Sequence, residues 1–536
     1  MQNPSTGVIG INTNSKYIGH DGLPVHVERK RATMRLVLVP LDERPVNVDL
    51  PHQVAAIAGV EIEIPSEHLL PNKRSPADLN ALHAWTIEQA SDKRTTHLIA
   101  CIDTLVHGGL IPGRISNDSI RESMERLEIF RSIKEINPEI MVSAVSLIMR
   151  ASDSYSAVEE PEYWSDYGKE LHQLGADLHR ALQGELTGSS ARQDMSGIIP
   201  SAIVQDFELR RLRNHIINLS SIAMHEESFI DTLALTADDT APHSAGSAEQ
   251  VWLRHWCRAL PDGETVLMNP GADEVGAVLV ARALTSVAGS PSFAIACGEP
   301  DGLQRVPNFE NAPLLDSLMR QIKAAGGHLT LPGDRADIVL VAHSPDPARG
   351  DYFGQIPASD SDATARTVFE IKKALAAGSA VALADVRFSN GGDPQLVDLL
   401  ADEDLLLQLS AYAGWNTAGN SIGCAVAQSI ARWVGARLGT LNQIEADRGL
   451  LTRILDDRAY QSGIRPLLHA EVFGGEIGPV SEQQQLLACE QISASLQKYL
   501  DRITRGSDIW QVKDVKLPWS RSFEIALLLD PKAGGI

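Results

Sequence analysis

The feature that most constrains this chain is an alternation. Short, almost wholly apolar runs of strand length recur from Met34 onward, and stretches with apolar residues at helical spacing separate most of them. A strand without polar alternation must be covered on both faces. The pattern therefore calls for a parallel sheet joined by right-handed helical crossovers. The leading runs are MRLVLVPL (Met34–Leu41), THLIACID (Thr96–Asp103), IMVSAVSLIMR (Ile140–Arg150), FIDTLALTADD and TVLMNPGAD (Thr265–Asp273). SFAIACGEP, GHLTLPG, ADIVLVAHS, AVALADVRF and LSAYAGW follow. The count predicts an α/β fold, a (β/α)8 TIM-barrel-like parallel barrel with insertions, and a doubly wound open sheet is the competing arrangement. The expected organisation is an irregular arm over residues 1–33, a barrel-like catalytic domain over 34–424 with an insertion near 290–335, and a mostly helical region over 425–536.

Polar residues cluster where these runs end. Asp42, Glu43, Arg44 and Asn47 follow the first; Asp103, His107, Gly108–Gly109 and Arg114 follow the second; Arg150 closes the third. Asn269, Asp273 and Glu274 lie at the fifth, and later runs end in Asp385, Arg387, Asn390 and Asp393, then in Tyr412, Trp415, Asn416 and Asn420. Parallel α/β proteins build their sites at this edge of the sheet, whereas single Asp and Asn residues there also serve as helix caps and turn formers. The turns HGGL and SNGGD are expected to let backbone approach a ligand closely.

The fourth run ends in two adjacent aspartates, Asp238 and Asp239, with TAPHSAG as a bend behind them. Neighbouring side chains on a strand face opposite ways, so the bend is needed to bring both to one cavity. Three roles suit the pair: one acid as general acid/base with its pKa set by the other, both as ligands of a divalent cation, or one as a helix cap beside a solvated charge. Cation binding would draw on Asp42, Asp103, Asp273 or His243, but no H-x-H or H-E-x-x-H spacing is present. No metal or other cofactor is predicted. Glu274 competes for the acid role, with helix capping by Asp273 as the plain alternative for GADE. His107 and His243 are loop histidines without a catalytic pattern around them.

Composition narrows the ligand. The net charge of −22 opposes a nucleic-acid partner, and an acidic ligand would need a local cluster of arginines. Neither a Walker-type loop nor a dinucleotide fingerprint follows any strand. The five cysteines are scattered, without a C-x-x-C pair, and reducing conditions suit them. No signal peptide or membrane-spanning run is read, so a cytoplasmic location is expected, with association into a homo-oligomer left open. Asp42, Arg44, Asn47, Asp103, Arg150, Asn269, Glu274, Asn390, Asp393 and Asn416 supply hydrogen-bonding groups, and Tyr412 and Trp415 flat apolar faces. This combination matches a small carbohydrate, whose hydroxyls ring a C–H face that stacks on aromatics.

Two resemblances sharpen the expectation. PLDERPVN, DTLVHGGLIPGR, LTADDTAP, PGADE, DVRFSNGGD, YAGWNTAGN and LPWSRSFE together resemble a large bacterial family catalogued as a domain of unknown function, over most of residues 34–530. The Asp-Asp pair after the fourth strand looks like that of the retaining N-acetylhexosaminidases. That resemblance implies substrate-assisted hydrolysis of a terminal β-linked N-acetylhexosamine, with GalNAc and GlcNAc undecided. Asp238 would hold the acetamido N–H and Asp239 would be the acid/base. A metal-dependent hydrolase using the same aspartates and a non-catalytic carbohydrate-binding protein are the alternatives.

Overall fold

The computed structural model describes residues 34–186, 198–238, 240–261, 265–331, 334–353, 356–473, 478, 480–507 and 509–532. The expected N-terminal arm and Asp239 lie outside the described residues.

The strands form two open parallel sheets, which corrects the expectation of one closed barrel. The first sheet runs β2 (Glu61–Glu63), β1 (Arg35–Val39), β3 (His97–Cys101), β4 (Met141–Ile148), β5 (Thr232–Ala237), β6 (Val266–Pro270). The second runs β11 (Ala411–Ala413), β10 (Ala380–Asp385), β9 (Ile338–His343), β7 (Ser292–Cys297), β8 (His328–Leu329). Residues 290–335 are thus the start of the second sheet rather than an insertion. In both, the second strand in the chain lies outside the first and the third lies on its other side. That is the doubly wound order, with a switch point between β1 and β3 and another between β7 and β9. Barrel and open sheet share the same β-α alternation, so the sequence pattern does not separate them; only strand pairing does.

Both faces of each sheet are buried, as the apolar runs require. Leu36 and Leu38 of β1 enter one core, while Val37 and Val39 enter the core on the opposite face, following the two-residue period of a strand. The shared core lies between the sheets. It joins Leu36, Leu38 and Ile99 of the first to Phe293, Leu340 and Ala382 of the second through the helices Pro45–Ile57, Val275–Ala288, Leu314–Ala324 and Ala418–Leu438. The last of these is rich in Gly and Ala and buried around nearly its whole circumference. Small residues let it approach its neighbours: a Cβ on Gly423 would lie 2.3 Å from Glu274 Cγ.

The C-terminal region is mostly helical, with one addition. Helix Gln443–Arg453 continues into a π-helical segment, Ile454–Ile464, and helix Glu482–Ile503 precedes an antiparallel hairpin, β12 (Trp510–Lys516) and β13 (Ala526–Pro531). Between these two strands, residues 517–525 reach back to the strand ends. Among the described residues no helix is long and apolar enough to cross a membrane.

Candidate functional site

The carboxyl-terminal edges of both sheets open onto one cavity of about 210 Å³. From the first sheet come Arg44 after β1, Leu110 and Arg114 after β3, Arg150 and Glu159 after β4, Asp238 after β5 and Asp273 after β6. From the second come Phe309, Phe353, Asn390 and Asn416, and the hairpin connection adds Trp519 and Phe523.

Its polar wall is a lattice of guanidiniums and carboxylates. Arg44 chelates Asp42 through Nε and Nη2 at 3.0 and 2.7 Å and donates to Asp273 at 2.5 Å. Asn47 Nδ2 donates to Asp42 at 2.8 Å, fixing the chelating carboxylate from behind. Arg114 pairs with Asp238 and, at 3.2 Å, with Glu159. Arg150 donates to Glu159 at 2.9 Å and to Glu160 at 3.0 Å. Arg521 pairs with Glu159 and holds Glu524 at 2.9 Å. Burial would raise Glu159, yet Arg150, Arg521 and Arg114 together hold its carboxyl well below the usual range. At Asp273 burial wins: the carboxyl is pushed up to about 6, with Arg44 opposing and Asp42 and Glu524 adding to the rise.

The apolar wall is aromatic. The Arg44 and Arg521 guanidiniums lie over the Trp519 ring, 4.6 and 4.4 Å from its centroid, and its Nε1 donates to Glu43 at 2.6 Å. Phe353 and Phe523 stack in parallel at 5.4 Å, and Arg465 caps the outer face of Phe353 at 4.0 Å. Trp415 does not line the cavity; it stands edge-on behind Phe523 at 5.6 Å.

The loops that carry the amides are braced from below. Asn390 and Asn416 both adopt left-handed backbone, φ 60° in each, a conformation Asn tolerates better than most residues. The Asn390 N–H donates to the Asn416 carbonyl at 2.9 Å. Asp457 of the π-helical segment accepts the Gly414 N–H at 2.8 Å through its side chain and the Gly392 N–H at 2.9 Å through its carbonyl. Arg465 donates to the Asn390 carbonyl at 2.9 Å.

Of the residues singled out from the sequence, Arg44, Arg150, Asp238, Asn390 and Asn416 meet at the cavity, with Asp42 and Asn47 directly behind Arg44. Asp103 accepts the Leu147 N–H at 2.9 Å, and burial raises its carboxyl to about 7; it sits beneath Arg114 and Asp238 rather than at the surface of the cavity. The remaining expectations are corrected. Glu274 is fully buried among the central helices, where it accepts from Gln321 at 2.7 Å and burial raises it to about 8; it cannot reach the cavity because its side chain points against Gly423. Asn269 is buried within β6 and does not line the cavity. Asp393 caps the helix Pro394–Asp402 and bonds His343 at 3.1 Å, and the Tyr412 hydroxyl donates to Asp385 at 3.3 Å; both belong to a buried network under the β10 turn. The glycine pairs serve tight packing rather than ligand approach: Cβ atoms on Gly108 and Gly392 would meet Pro76 at 2.7 Å and the Tyr412 hydroxyl at 2.0 Å. Nor is Asp273 a cap. Glu274 occupies the cap position of helix Val275–Ala288 without a side-chain bond.

Glu159, Phe309, Phe353, Trp519, Arg521, Phe523 and Glu524 escaped the strand-end rule because none directly follows a strand of the first sheet's pattern. Their signal is compositional: aromatics make up only 5% of the chain, yet PWSRSF places two around three polar side chains. His107 is buried away from the cavity, its imidazole lowered to about 3 by burial and Arg213, and His243 lies against His179 at 5.4 Å. No group of three or more His, Cys, Asp or Glu side chains among the described residues could hold a metal ion.

No curated protein and no solved structure matches the chain. The profile of one family, described as "Protein of unknown function (DUF4127)", matches residues 36–528, and the chain belongs to that family.

Proposed function

We propose that the protein is a glycoside hydrolase that removes a single terminal β-linked N-acetylhexosamine, GalNAc or GlcNAc, with retention of configuration. The observation that carries this reading is the composition of the cavity: the aromatic rings of Trp519, Phe523, Phe353 and Phe309 together with guanidinium, carboxylate and amide groups. A sugar hydroxyl both donates and accepts, so it fits a cavity lined by both donors and acceptors, and the C–H face of the ring stacks on an aromatic. A phosphate would meet Glu159, Asp238 and Asp273 as well as the arginines, which disfavours an anionic ligand. The cavity, about 210 Å³, is below the roughly 300–1,000 Å³ of larger ligand sites. That suits one ring and favours attack at a chain end.

In the substrate-assisted scheme, the ion-paired Asp238 takes the acetamido N–H and steadies the positive charge that develops on it. The resemblance would give the acid/base role to Asp239, next in the chain, and the geometry of the cavity offers a second candidate, Asp273. The test is release of nitrophenol from 4-nitrophenyl β-N-acetylhexosaminides. Asp238→Asn is expected to lower kcat/KM by about 10²–10³-fold, the size of losing one electrostatic partner of the transition state. Turnover of plain hexosides but not of acetamido sugars would refute substrate assistance. A loss of activity on chelation, restored by a divalent cation, would refute the metal-free scheme.

A further inference from the structure

We infer that Asp273 is the proton-transferring carboxyl of this cavity, working across from Asp238 on the neighbouring strand. The inference rests on the glycosidase reading and names the residue that reading needs.

Three independent observations converge on Asp273. It lines the cavity at the end of β6, and β6 pairs directly with β5, which ends in Asp238. Its side chain caps no helix; it accepts from Arg44 at 2.5 and 3.3 Å and from Asn416 at 3.4 Å, both cavity residues. The third observation is a count of charges. Arg44, Arg114, Arg150 and Arg521 meet the carboxyls of Asp42, Glu159, Glu160, Asp238, Asp273 and Glu524. Among the described residues, six acids share four guanidiniums in a largely desolvated space, and they cannot all stay ionised without cost.

The surroundings decide which acid keeps a proton. Arg44 is shared by three acids: Asp42 engages it with both oxygens, Asp273 accepts from its two Nη atoms at 2.5 and 3.3 Å, and Glu524 stands 3.9 Å away. Burial, Asp42 and Glu524 push Asp273 up to about 6, whereas three arginines keep Glu159 ionised. Asp273 and Glu159 are thereby driven apart in one cavity, and Asp238 is held by its ion pair with Arg114. The rival Glu274 is raised further, to about 8, but has no opening to the cavity.

The step balances as follows. The Asp273 carboxyl gives its proton to the glycosidic oxygen while the C1–O bond breaks, its electron pair passing to that oxygen. The acetamido carbonyl oxygen bonds to C1, forming the oxazolinium, and the alcohol departs. Water then attacks C1, Asp273 carboxylate takes the water proton, and the bond from C1 to the acetamido oxygen breaks, returning its pair to the amide. Asp238 stays on the N–H throughout.

The experiment compares the full-length protein with Asp273→Asn and Asp239→Asn on a 4-nitrophenyl glycoside and on the corresponding methyl glycoside, whose leaving group needs protonation far more. Asp273→Asn is expected to lose about 10²–10⁴-fold on the methyl glycoside and much less on the nitrophenyl one. It should also lose the fall in kcat/KM that wild type shows as pH rises through about 6. A loss at Asp273 that ignores the leaving group, or a selective loss at Asp239 instead, overturns the assignment. Infrared difference spectra of wild type and Asp273→Asn, both with isotope-labelled aspartate, provide a readout that needs no turnover. A protonated-carboxyl band that vanishes as pH rises through about 6 in the wild type and is missing from the variant supports Asp273, and identical spectra for the two proteins overturn the assignment. With that band present and no glycoside turned over, the glycosidase reading fails and Asp273 stands as the cavity's acid.

Discussion

Trp519 shows how one side chain couples fold to site. Its backbone is left-handed, φ 54°, as is that of Ser520, φ 53°, a conformation that costs a non-glycine residue energy. What holds it there is visible: the Glu43 hydrogen bond and two guanidiniums over its ring. The indole lines the cavity and braces Arg44 and Arg521, so it acts in binding more than in chemistry. Trp519→Ala is expected to raise KM about tenfold, the loss of roughly 1.4 kcal/mol of stacking, with kcat changed less. Glu43→Gln should give a smaller rise of the same kind, because it weakens the anchor without removing the ring. Steady-state kinetics on both variants checks the split between KM and kcat.

Among the elements, the central helix Ala418–Leu438 carries the heaviest constraint. It presents a face of small residues to helix Val275–Ala288, and Glu274 lies in the gap that Gly423 leaves. Gly423→Ala would insert a methyl 2.3 Å from Glu274 Cγ and 3.1 Å from Val278 Cγ2. Overpacking of this sort costs about 1–3 kcal/mol, so thermal denaturation should show a lowered Tm for this variant. The π-helical segment Ile454–Ile464 plays a different part. Its wider turn exposes carbonyl and carboxylate of Asp457 to the loops after β10 and β11, and those loops present Asn390 and Asn416.

For the whole molecule, burial of acids sets the response to pH. Burial raises Asp103 to about 7, Glu274 to about 8 and Glu310 to about 7. A carboxyl raised on folding binds more protons in the folded chain than in the unfolded one between its two pKa values. Its stabilisation is therefore complete below the unfolded value and is lost as pH climbs through the folded one. Stability is expected to fall between about pH 5 and 8, with Glu274→Gln flattening part of that slope in melting curves taken across the range. Glu159 acts in the opposite sense, since its lowered carboxyl favours the fold above its unfolded pKa and withdraws that support in acid. One core spans both sheets, so their carboxyl-terminal edges are held together over the shared cavity.

The amino-acid sequence by itself determined where the strands lie and what stands at their ends. Each of the quoted apolar runs holds a strand, from β1 to β11 with only β2 passed over. Run length, two-sided burial and turn chemistry are local properties, readable from neighbours in the chain. Glu61–Glu63 is too short and too charged to carry that signal, and β12 and β13 were hidden in a region of helical period. The tertiary structure alone decided that β7 opens a second sheet instead of continuing the first, because hydrogen-bond partners tens of residues apart leave no local mark. It also decided which strand-end groups face the cavity. Asp273 and Glu274 are adjacent in the chain, yet one helix start turns the first toward the cavity and the second into the core, and only the helices on either side settle that choice.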